Sequence, residues 1–361
     1  MCLAFVDYEK AFDTVQHHKL MHILRQLDMD QKDILCIEDL YWNQTAVVRV
    51  DNDTTQAHKI LRGVRQGCVL SPLLFNLYSE VIFQEALQEC ESGIKVNGTL
   101  INNIRFADDS VLIADNIEDL QNLLNKIGEH SKGMGLNINI AKTKFLIISR
   151  RLGQHQNARL TYNNQDVERV QKIKYLGTWL CEDWMSDVEI KCRIEMARST
   201  FIKFRNVLTN SDFDLQMRLR FVKCYIWSVL LYGMEGWTLK MNTMNRLEAF
   251  EMWIYRRILK VPWTARVTNE EILRGIGTER QLLYTIKLRK TAYLGHVVRN
   301  ERYQFLQTLI EGKIEGSRGV GRRRMSWLRN VRQWTGLRNI GDLIHTARDR
   351  EKWSNVIANI H

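Results

Sequence analysis

The chain has 361 residues, 45% of them hydrophobic, which is length and apolar content for two or three domains with real cores. Its seven cysteines form no C-x-x-C pair and leave one unmatched, so they read as reduced thiols and argue against a zinc site. The net charge of +11 is uneven: residues 240–361 carry 24 Lys/Arg against 11 Asp/Glu, and residues 1–239 carry 28 against 30, which favours a polyanionic partner, nucleic acid ahead of an acidic membrane surface.

In chain order, "CLAFVDYE" opens as a strand with no basic n-region before it, so no signal peptide is read. Residues 14–42 read as helix, and "TAVVRV" (45–50) as a short strand. "SPLLFNLYSEVIFQEALQECE" (71–91) is predicted as a buried helix, with Ser71 as N-cap and Pro72 at its first helical position. In "GIKVNGTLI", Asn97-Gly98 marks a tight hairpin turn. A second hairpin, "RFADDSVLIAD" (105–115), precedes a helix over about 117–132 with Leu120, Leu123, Leu124 and Ile127 on one face. "KFLIIS" (144–149) and "YLGTWL" (175–180) are predicted strands. "SDVE" (186–189) has the form of a capping box and opens a helix carrying Ile190, Ile194, Ala197, Phe201, Phe204 and Leu208. Nearly everything beyond 186 reads as helix. The longest apolar stretch, Cys224–Met234, is short of the roughly 20 residues that span a bilayer, so no membrane partner is expected. The order of elements before 150 fits helices packed on a mixed sheet. One boundary is expected between about 150 and 185, and another near 236–245, where the charge changes.

The second hairpin raises a chemical question. Asp108 and Asp109 interrupt an apolar, β-branched run, although burying an unpaired carboxylate costs several kcal/mol. Asp7 ends the first strand. If the two strands are neighbours, three carboxylates converge on one sheet edge. An all-oxygen donor set with room for water suits Mg²⁺. Two such ions about 4 Å apart would clamp the attacking and leaving oxygens of a phosphoryl displacement, and their charge would resolve the burial problem. A solvated Asp-Asp turn is the plain alternative. Asp13 reads as the N-cap of the following helix, and His17 and His18 as surface residues.

Five stretches in this order, "FVDYEKAFD" (5–13), "GVRQGCVLSPLLFNLY" (63–78), "RFADDSVLIA" (105–114), "GLNINIAKTK" (135–144) and "KYLGTWL" (174–180), resemble the palm of a reverse transcriptase of the non-LTR, LINE-type retrotransposon group. The segment "GHVVRN … GKIEGSRGVGRRRMSWLRNVRQW" (295–334) is similar to the tails of LINE-type endonuclease–reverse transcriptases. The resemblance implies an α+β fold: a palm with a ferredoxin-like mixed sheet over 1–150, a primer-grip hairpin and helical thumb over 151–239, and a basic helical nucleic-acid-binding region over 240–361. The implied reaction is attack of a DNA primer 3′-OH on the α-phosphate of a deoxynucleoside triphosphate, templated by RNA. It would use two Mg²⁺ ions, with Mn²⁺ able to substitute. Protein partners are left open by the resemblance.

Residue by residue, the resemblance makes Asp7, Asp108 and Asp109 the catalytic metal ligands, with the backbone of Tyr8 beside them. Phe12 matches the aromatic that crowds the sugar 2′ position, and Gln66 and Gly67 match the pair at the incoming nucleotide and templating base. Either Lys142 or Lys144 matches the lysine near the leaving pyrophosphate. Tyr175, Leu176 and Gly177 fall in the primer grip. Arg322, Arg323 and Arg324, with Trp327 and Trp334 interleaved nearby, suit phosphate contact and base stacking. A basic helix docking on its own domain is the alternative for that segment.

The family's fingers precede the stretch at 5–13, so the chain reads as a truncated 3′ portion of an element. It is therefore expected to polymerise poorly alone and to expose a sheet edge near Ala4–Asp7. The rival functions are a catalytically silent RNA- or DNA-binding remnant and, further off, a palm-fold nucleotide cyclase. The expected location is intracellular, in a nuclear or cytoplasmic ribonucleoprotein.

Overall fold

β1 (Cys2–Val6) is apolar at every position, and all five residues are buried. A run with no polar alternation belongs in the middle of a sheet, covered on both faces. In the computed structural model, which describes residues 1–41, 44–149, 157–314 and 325–360, β1 has that position. It pairs antiparallel with β9 (Asp109–Ala114) on one side and β10 (Lys144–Ile147) on the other. β8 (Asn103–Phe106) and β13 (Glu168–Arg169) complete a five-stranded sheet in the order β13–β10–β1–β9–β8, with β13 parallel to β10. The exposed edge expected at Ala4–Asp7 is therefore not formed, because β9 and β10 take up both sides of β1.

On one face of this sheet, Cys2, Ala4, Val6, Leu112, Ala114, Phe145 and Ile147 enter a single apolar core. α4 (Ser71–Leu87) contributes Leu74, Phe75, Tyr78 and Ile82, and α5 (Ile117–Gly133) contributes Leu120, Leu123, Leu124 and Ile127. Asn116 caps α5 by accepting from the Asp119 N–H at 2.8 Å. Ser71 does not cap α4. Its hydroxyl donates to the Arg65 carbonyl at 2.5 Å, and Leu70 stands at the N-cap instead.

The helix predicted over 14–42 is two helices, His17–Gln26 and Gln31–Tyr41, interrupted at Asp28, whose φ is 51°. Asp13 is not an N-cap; it lies inside the short turn of helix Ala11–Thr14. His17 is buried rather than on the surface, and its Nε2 donates to the Gly63 carbonyl at 2.7 Å, tying the start of its helix to the loop before α4. Two-residue strands over 45–59 replace the predicted strand at 45–50. Asn97-Gly98 forms the hairpin turn between Ile94–Val96 and Thr99–Ile101 as expected.

The chain divides by contacts into two compact units, Met1–Ile173 and Lys174–His361. The first reaches past 150 because Leu160, Tyr162 and Val167 are buried in the same core as β1. Tyr162 lies against Gly128 of α5, where an added Cβ would overlap the ring. Gly128→Ala is expected to destabilise this unit by about 1–3 kcal/mol, although alanine is the better helix former. Urea denaturation measures the difference, and an unchanged midpoint would place Tyr162 elsewhere.

The second unit is helical apart from the hairpin that opens it, formed by the strands Lys172–Tyr175, which starts two residues before the unit, and Thr178–Cys181. Its main core runs without a break from Ile190 of α6 (Asp187–Lys203) to Ile286 of α12 (Leu282–Arg299), through Leu247, Phe250 and Tyr255 of α10 (Met241–Ile258). The charge change near 239 thus marks no break in packing. The capping box at 186–189 is not formed. Ser186 Oγ accepts from the Thr238 N–H at 3.0 Å, and Glu189 is drawn to other partners. Trp327 and Trp334 point into their own domain, where both rings flank the buried Lys290 ammonium at 4.9 and 5.4 Å. Burial lowers the Lys290 pKa to about 7, and its ammonium donates to the Trp237 carbonyl. Base stacking by these two tryptophans is therefore replaced by the docking alternative. Among the described residues, no helix is long and apolar enough to cross a membrane. Arg322, Arg323 and Arg324 lie outside the described residues.

Candidate active site

The antiparallel register decides which acids meet. Val6 pairs with Ser110, and the same register carried one step further sets Asp7 across from Asp109. Phe106 pairs with Asp109, so Ala107 and Asp108 form a two-residue turn at the tip of β8–β9. Ala107 stands at φ 54°, a left-handed conformation that a residue with a Cβ adopts at a cost and that recurs beside functional groups.

The backbone of Asp7 is held by a turn that the sequence reading missed. Asn139 N–H donates to the Asp7 carbonyl at 2.8 Å, and the Asp7 N–H donates to Thr143 Oγ1 at 3.2 Å. The Asn139 carbonyl and side chain in turn accept from the Lys142 and Thr143 N–H groups. This closed turn carries the Lys142 ammonium to 3.7 Å from Asp7 Oδ1. Lys144 points elsewhere and pairs with Glu168. The structure thus separates the two candidate lysines, with Lys142 beside the acids.

The electrostatics are those of crowded anions. Burial raises the Asp7 carboxyl above its ordinary pKa, Lys142 pulls it back, and the Asp108 charge raises it again. Asp109 is raised by burial and then by the charges of Asp108 and Asp7. Asp7 Oδ1 is buried with no hydrogen-bond partner, since 3.7 Å to Lys142 is an ion-pair distance and not a hydrogen bond. An unsatisfied carboxylate oxygen among like charges is a donor set that a hard cation would complete. Even so, among the described residues no three His, Cys, Asp or Glu side chains are gathered tightly enough to hold an ion as they stand. Mg²⁺ commonly takes only one or two carboxylates, with water and phosphate as its other ligands.

The pH dependence follows from the direction of these shifts. A carboxyl whose pKa is raised by folding binds its proton more tightly in the native state. Its contribution to stability is therefore lost as pH rises from the unfolded carboxylate range through the raised native value. Relative to wild type in chelator, Asp109→Asn is expected to gain stability across that rise and to be neutral below it. Melting curves from pH 3 to 7 check this, and parallel curves for the two proteins would refute the crowding.

Other predicted residues fall around this edge. Tyr8 bridges to Ile138 through its neighbours, with Asp7 C=O accepting and Glu9 N–H donating, so the Tyr8 N–H and C=O take no part in that bridge. Its phenol meets Ser131 Oγ at 2.9 Å in the core, where burial pushes its pKa to about 12. Phe12 is half-buried and stacks on Phe75, ring centroids 4.6 Å apart. Gln66 Nε2 donates to Asp13 Oδ1 at 3.3 Å, which gives Asp13 a role as an acceptor. Gly67 has φ 84° and open space where a Cβ would stand, so conformation, not crowding, favours glycine there.

In the second unit, Leu176 (φ 45°) and Gly177 (φ 81°) form the tight turn of the hairpin. Arg193 Nη2 donates to the Gly177 carbonyl at 2.5 Å, and the Tyr232 hydroxyl donates to the Leu176 carbonyl at 3.1 Å. Arg193 is paired with Glu189 at 2.6 Å, both buried, and Glu189 Oε2 accepts from the Trp179 N–H at 2.8 Å. The Arg193 guanidinium also lies 4.5 Å from the centre of the Tyr232 ring. The i,i+4 spacing of Glu189 and Arg193 beside Ile190, Ile194 and Ala197 was the signal available for this clamp.

The reverse transcriptase (RNA-dependent DNA polymerase) family profile matches residues 1–180, the stretch that contains the acid-bearing sheet edge and the hairpin. Residues 1–180 belong to the reverse transcriptase family. The relatives include proteins named for transposons and retrotransposable elements. A putative uncharacterized transposon-derived protein of Caenorhabditis elegans is 27% identical over 275 residues, 73% of this chain and 98% of that protein. A retrovirus-related Pol polyprotein from a type-1 retrotransposable element R2 of Nasonia vitripennis is 28% identical over 183 residues, 48% of this chain and 18% of its own length. The RNA-directed DNA polymerase from mobile element jockey of Drosophila melanogaster is 22% identical over 275 residues, 74% of this chain. The chain spans 29% of that polymerase, so it corresponds to a part of the longer relatives. Within this reverse transcriptase region, Asp7, Asp108 and Asp109 are the acids on the shared sheet edge, and Lys142 is the cation beside them.

Proposed function

We propose that this chain is the polymerising part of a reverse transcriptase, joining a deoxynucleotide to a primer 3′-OH under the direction of an RNA template. The observation that carries this reading is the register setting Asp7 across from Asp109, one residue from Asp108, with an oxygen of Asp7 buried and unsatisfied. Asp7, Asp108 and Asp109 would hold divalent metal, Mg²⁺ or Mn²⁺. When bound, the metal supplies charge neutralisation for the phosphate and lowers the cost of forming the attacking alkoxide. The chain's own part is positioning. Phe12, braced by Phe75, would crowd a ribose 2′-OH. Gln66, held by Asp13, and Gly67 would line the nucleotide. Lys142 would exchange its pairing with Asp7 for the departing pyrophosphate. The hairpin turn at Leu176-Gly177, clamped by Arg193 and Tyr232, would seat the primer. The same reading makes residues 1–150 the palm and the helices from 186 the thumb, and places the protein with RNA in a ribonucleoprotein of nucleus or cytoplasm.

A second reading, a silent nucleic-acid-binding protein, is favoured by the open acid set and by the cationic last third of the chain. Primer extension on an RNA template with Mg²⁺ or Mn²⁺, run beside filter binding of the same duplex, tests both. Extension that depends on Asp108 supports polymerisation. Binding that persists unchanged in Asp108→Asn with no extension by wild type would leave the silent reading.

A further inference from the structure

We propose that Thr143 is a positioning residue for Asp7: its hydroxyl takes the place of a missing strand partner and so fixes the backbone that carries the carboxylate. The inference rests on the polymerase function proposed for the chain and adds a residue to it. Met1 and Ile148 exchange both backbone bonds, the Ile148 N–H donating at 2.9 Å and the Met1 amine at 3.4 Å. In an antiparallel ladder such pairs alternate with pairs that exchange none, so Leu3–Leu146 and Phe5–Lys144 are of the same kind. The next in that register would be Asp7 with Lys142. It does not form. β10 ends at Lys144, and Tyr8, which would face Ala141 in the same register, bridges to Ile138 instead. Residues 140–142 are therefore looped out of the strand as a bulge beside the acids, a place where bulges re-aim side chains.

Both main-chain groups of Asp7 still need partners, because a backbone N–H or C=O shielded from water is costly to leave unpaired. The Asn139 N–H supplies one, donating to the Asp7 carbonyl at 2.8 Å in place of the Lys142 N–H. The other comes from a side chain. Thr143 Oγ1 accepts from the Asp7 N–H at 3.2 Å, where the ladder would have offered the Lys142 carbonyl. Threonine suits this place for two reasons. A hydroxyl oxygen accepts as a carbonyl does, and a β-branched side chain that is fully buried is stiff about χ1. The substitution releases residues 140–142 from the sheet without orphaning the Asp7 N–H. The released turn closes on the Asn139 carbonyl, which accepts from the Lys142 and Thr143 N–H groups at 3.2 and 2.8 Å. It carries the Lys142 ammonium to its place 3.7 Å from Asp7 Oδ1. One hydroxyl thus keeps Asp7 in its register across from Asp109 and lets Lys142 leave the strand. A metal ligand is held only as well as the groups that orient it.

The test compares the full wild-type chain with Thr143→Val, which keeps the shape and removes the hydroxyl, and with Thr143→Ser, which keeps the hydroxyl. In chelator, amide hydrogen exchange of the ¹⁵N-labelled wild type should show the Asp7 N–H protected with those of Leu3 and Phe5, although it lies beyond the last ladder pair. In Thr143→Val it should exchange about tenfold faster, the factor that one hydrogen bond is worth, with Leu3 unchanged. Thr143→Ser should restore the protection. Mn²⁺ binding, followed by the electron paramagnetic resonance of the free ion, gives the second readout, and the event at Asp7 is the one that Asp7→Asn abolishes. Its affinity should fall about 10–100-fold in Thr143→Val, the usual loss when a group orienting a metal ligand is removed, and return in Thr143→Ser. A merely structural Thr143 would lower the melting temperature and leave the Mn²⁺ affinity of the folded protein where it was. An unprotected Asp7 amide in wild type, a result that needs no variant to fold, would overturn the inference. So would an unchanged Asp7 exchange rate or Mn²⁺ affinity in Thr143→Val, or a serine that fails to rescue. If wild type shows no Mn²⁺ binding that depends on Asp7, the polymerase reading fails and takes this inference with it. A failure of Thr143 alone leaves the wild-type binding intact.

Discussion

Asp7→Asn is expected to lower RNA-templated extension by more than about 100-fold and to remove the stabilisation that Mg²⁺ gives the wild-type chain. Misplacing a reacting atom by about 1 Å already costs on that order, and the Asp7 carboxylate is the one with an oxygen left unsatisfied in the core edge. Its backbone stays fixed in the variant, because the bonds to Asn139 and Thr143 use main-chain atoms of Asp7. Loss of activity would therefore report the carboxylate and not the strand. The companion measurement is thermal: a cation that binds only the folded chain stabilises it by about 2.7 kcal/mol at 100 times its Kd. Wild type should show such a rise in melting temperature with Mg²⁺, and Asp7→Asn should show none. A variant that extends primers as well as wild type would remove Asp7 from the site, and a metal-dependent rise that survives in it would move the ion elsewhere.

Arg193→Met should destabilise the second unit by about 3–5 kcal/mol, the usual cost of leaving one member of a buried ion pair without its partner. Glu189 and Arg193 have side chains only 2% and 6% exposed. Without Arg193, Glu189 keeps the Trp179 N–H but loses its countercharge, and the Gly177 carbonyl loses its donor. The double variant Glu189→Met/Arg193→Met should recover much of the loss, because two apolar chains leave no stranded charge. Guanidinium denaturation followed by tryptophan fluorescence measures both. Equal destabilisation in the single and double variants would mean that the charges are not coupled. If the hairpin seats the primer, Arg193→Met should also raise the KM for primer more than it lowers kcat in the protein that remains folded.

Several features were legible in the sequence because they depend on neighbours along the chain. The all-apolar β1, the Asn97-Gly98 turn, the apolar stripe of α5 and the helical second half follow from local pattern, and each is in the structure. The motifs at 5–13, 63–78 and 105–114 also pointed to the family without knowledge of packing, since fixed residue types in a fixed order carry that information. Capping was read less well. Ser71, Ser186 and Asp13 all look like N-caps by residue type, yet each side chain or its position is taken by a distant partner: Arg65, Thr238 and Gln66. A hydroxyl or carboxylate bonds to whichever donor or acceptor the fold brings nearest, and local sequence cannot rank those.

The tertiary structure alone decided the rest. Lys142 and Lys144 are two residues apart and chemically identical, so only the Asn139–Thr143 turn could send one to Asp7 and leave the other, on β10, to Glu168. Charge composition gave no packing boundary at 239, because the core is set by apolar contacts from Ile190 to Ile286 while the excess cations lie outside it. Likewise, Trp327 and Trp334 look like stacking platforms beside arginines, but the buried Lys290 ammonium draws both rings inward. The sequence by itself determined the elements and the family, which are encoded in short-range pattern. Which acids, cations and carbonyls share a site was fixed by strand register and helix packing, because charges interact over ångströms of space and not over residues of chain.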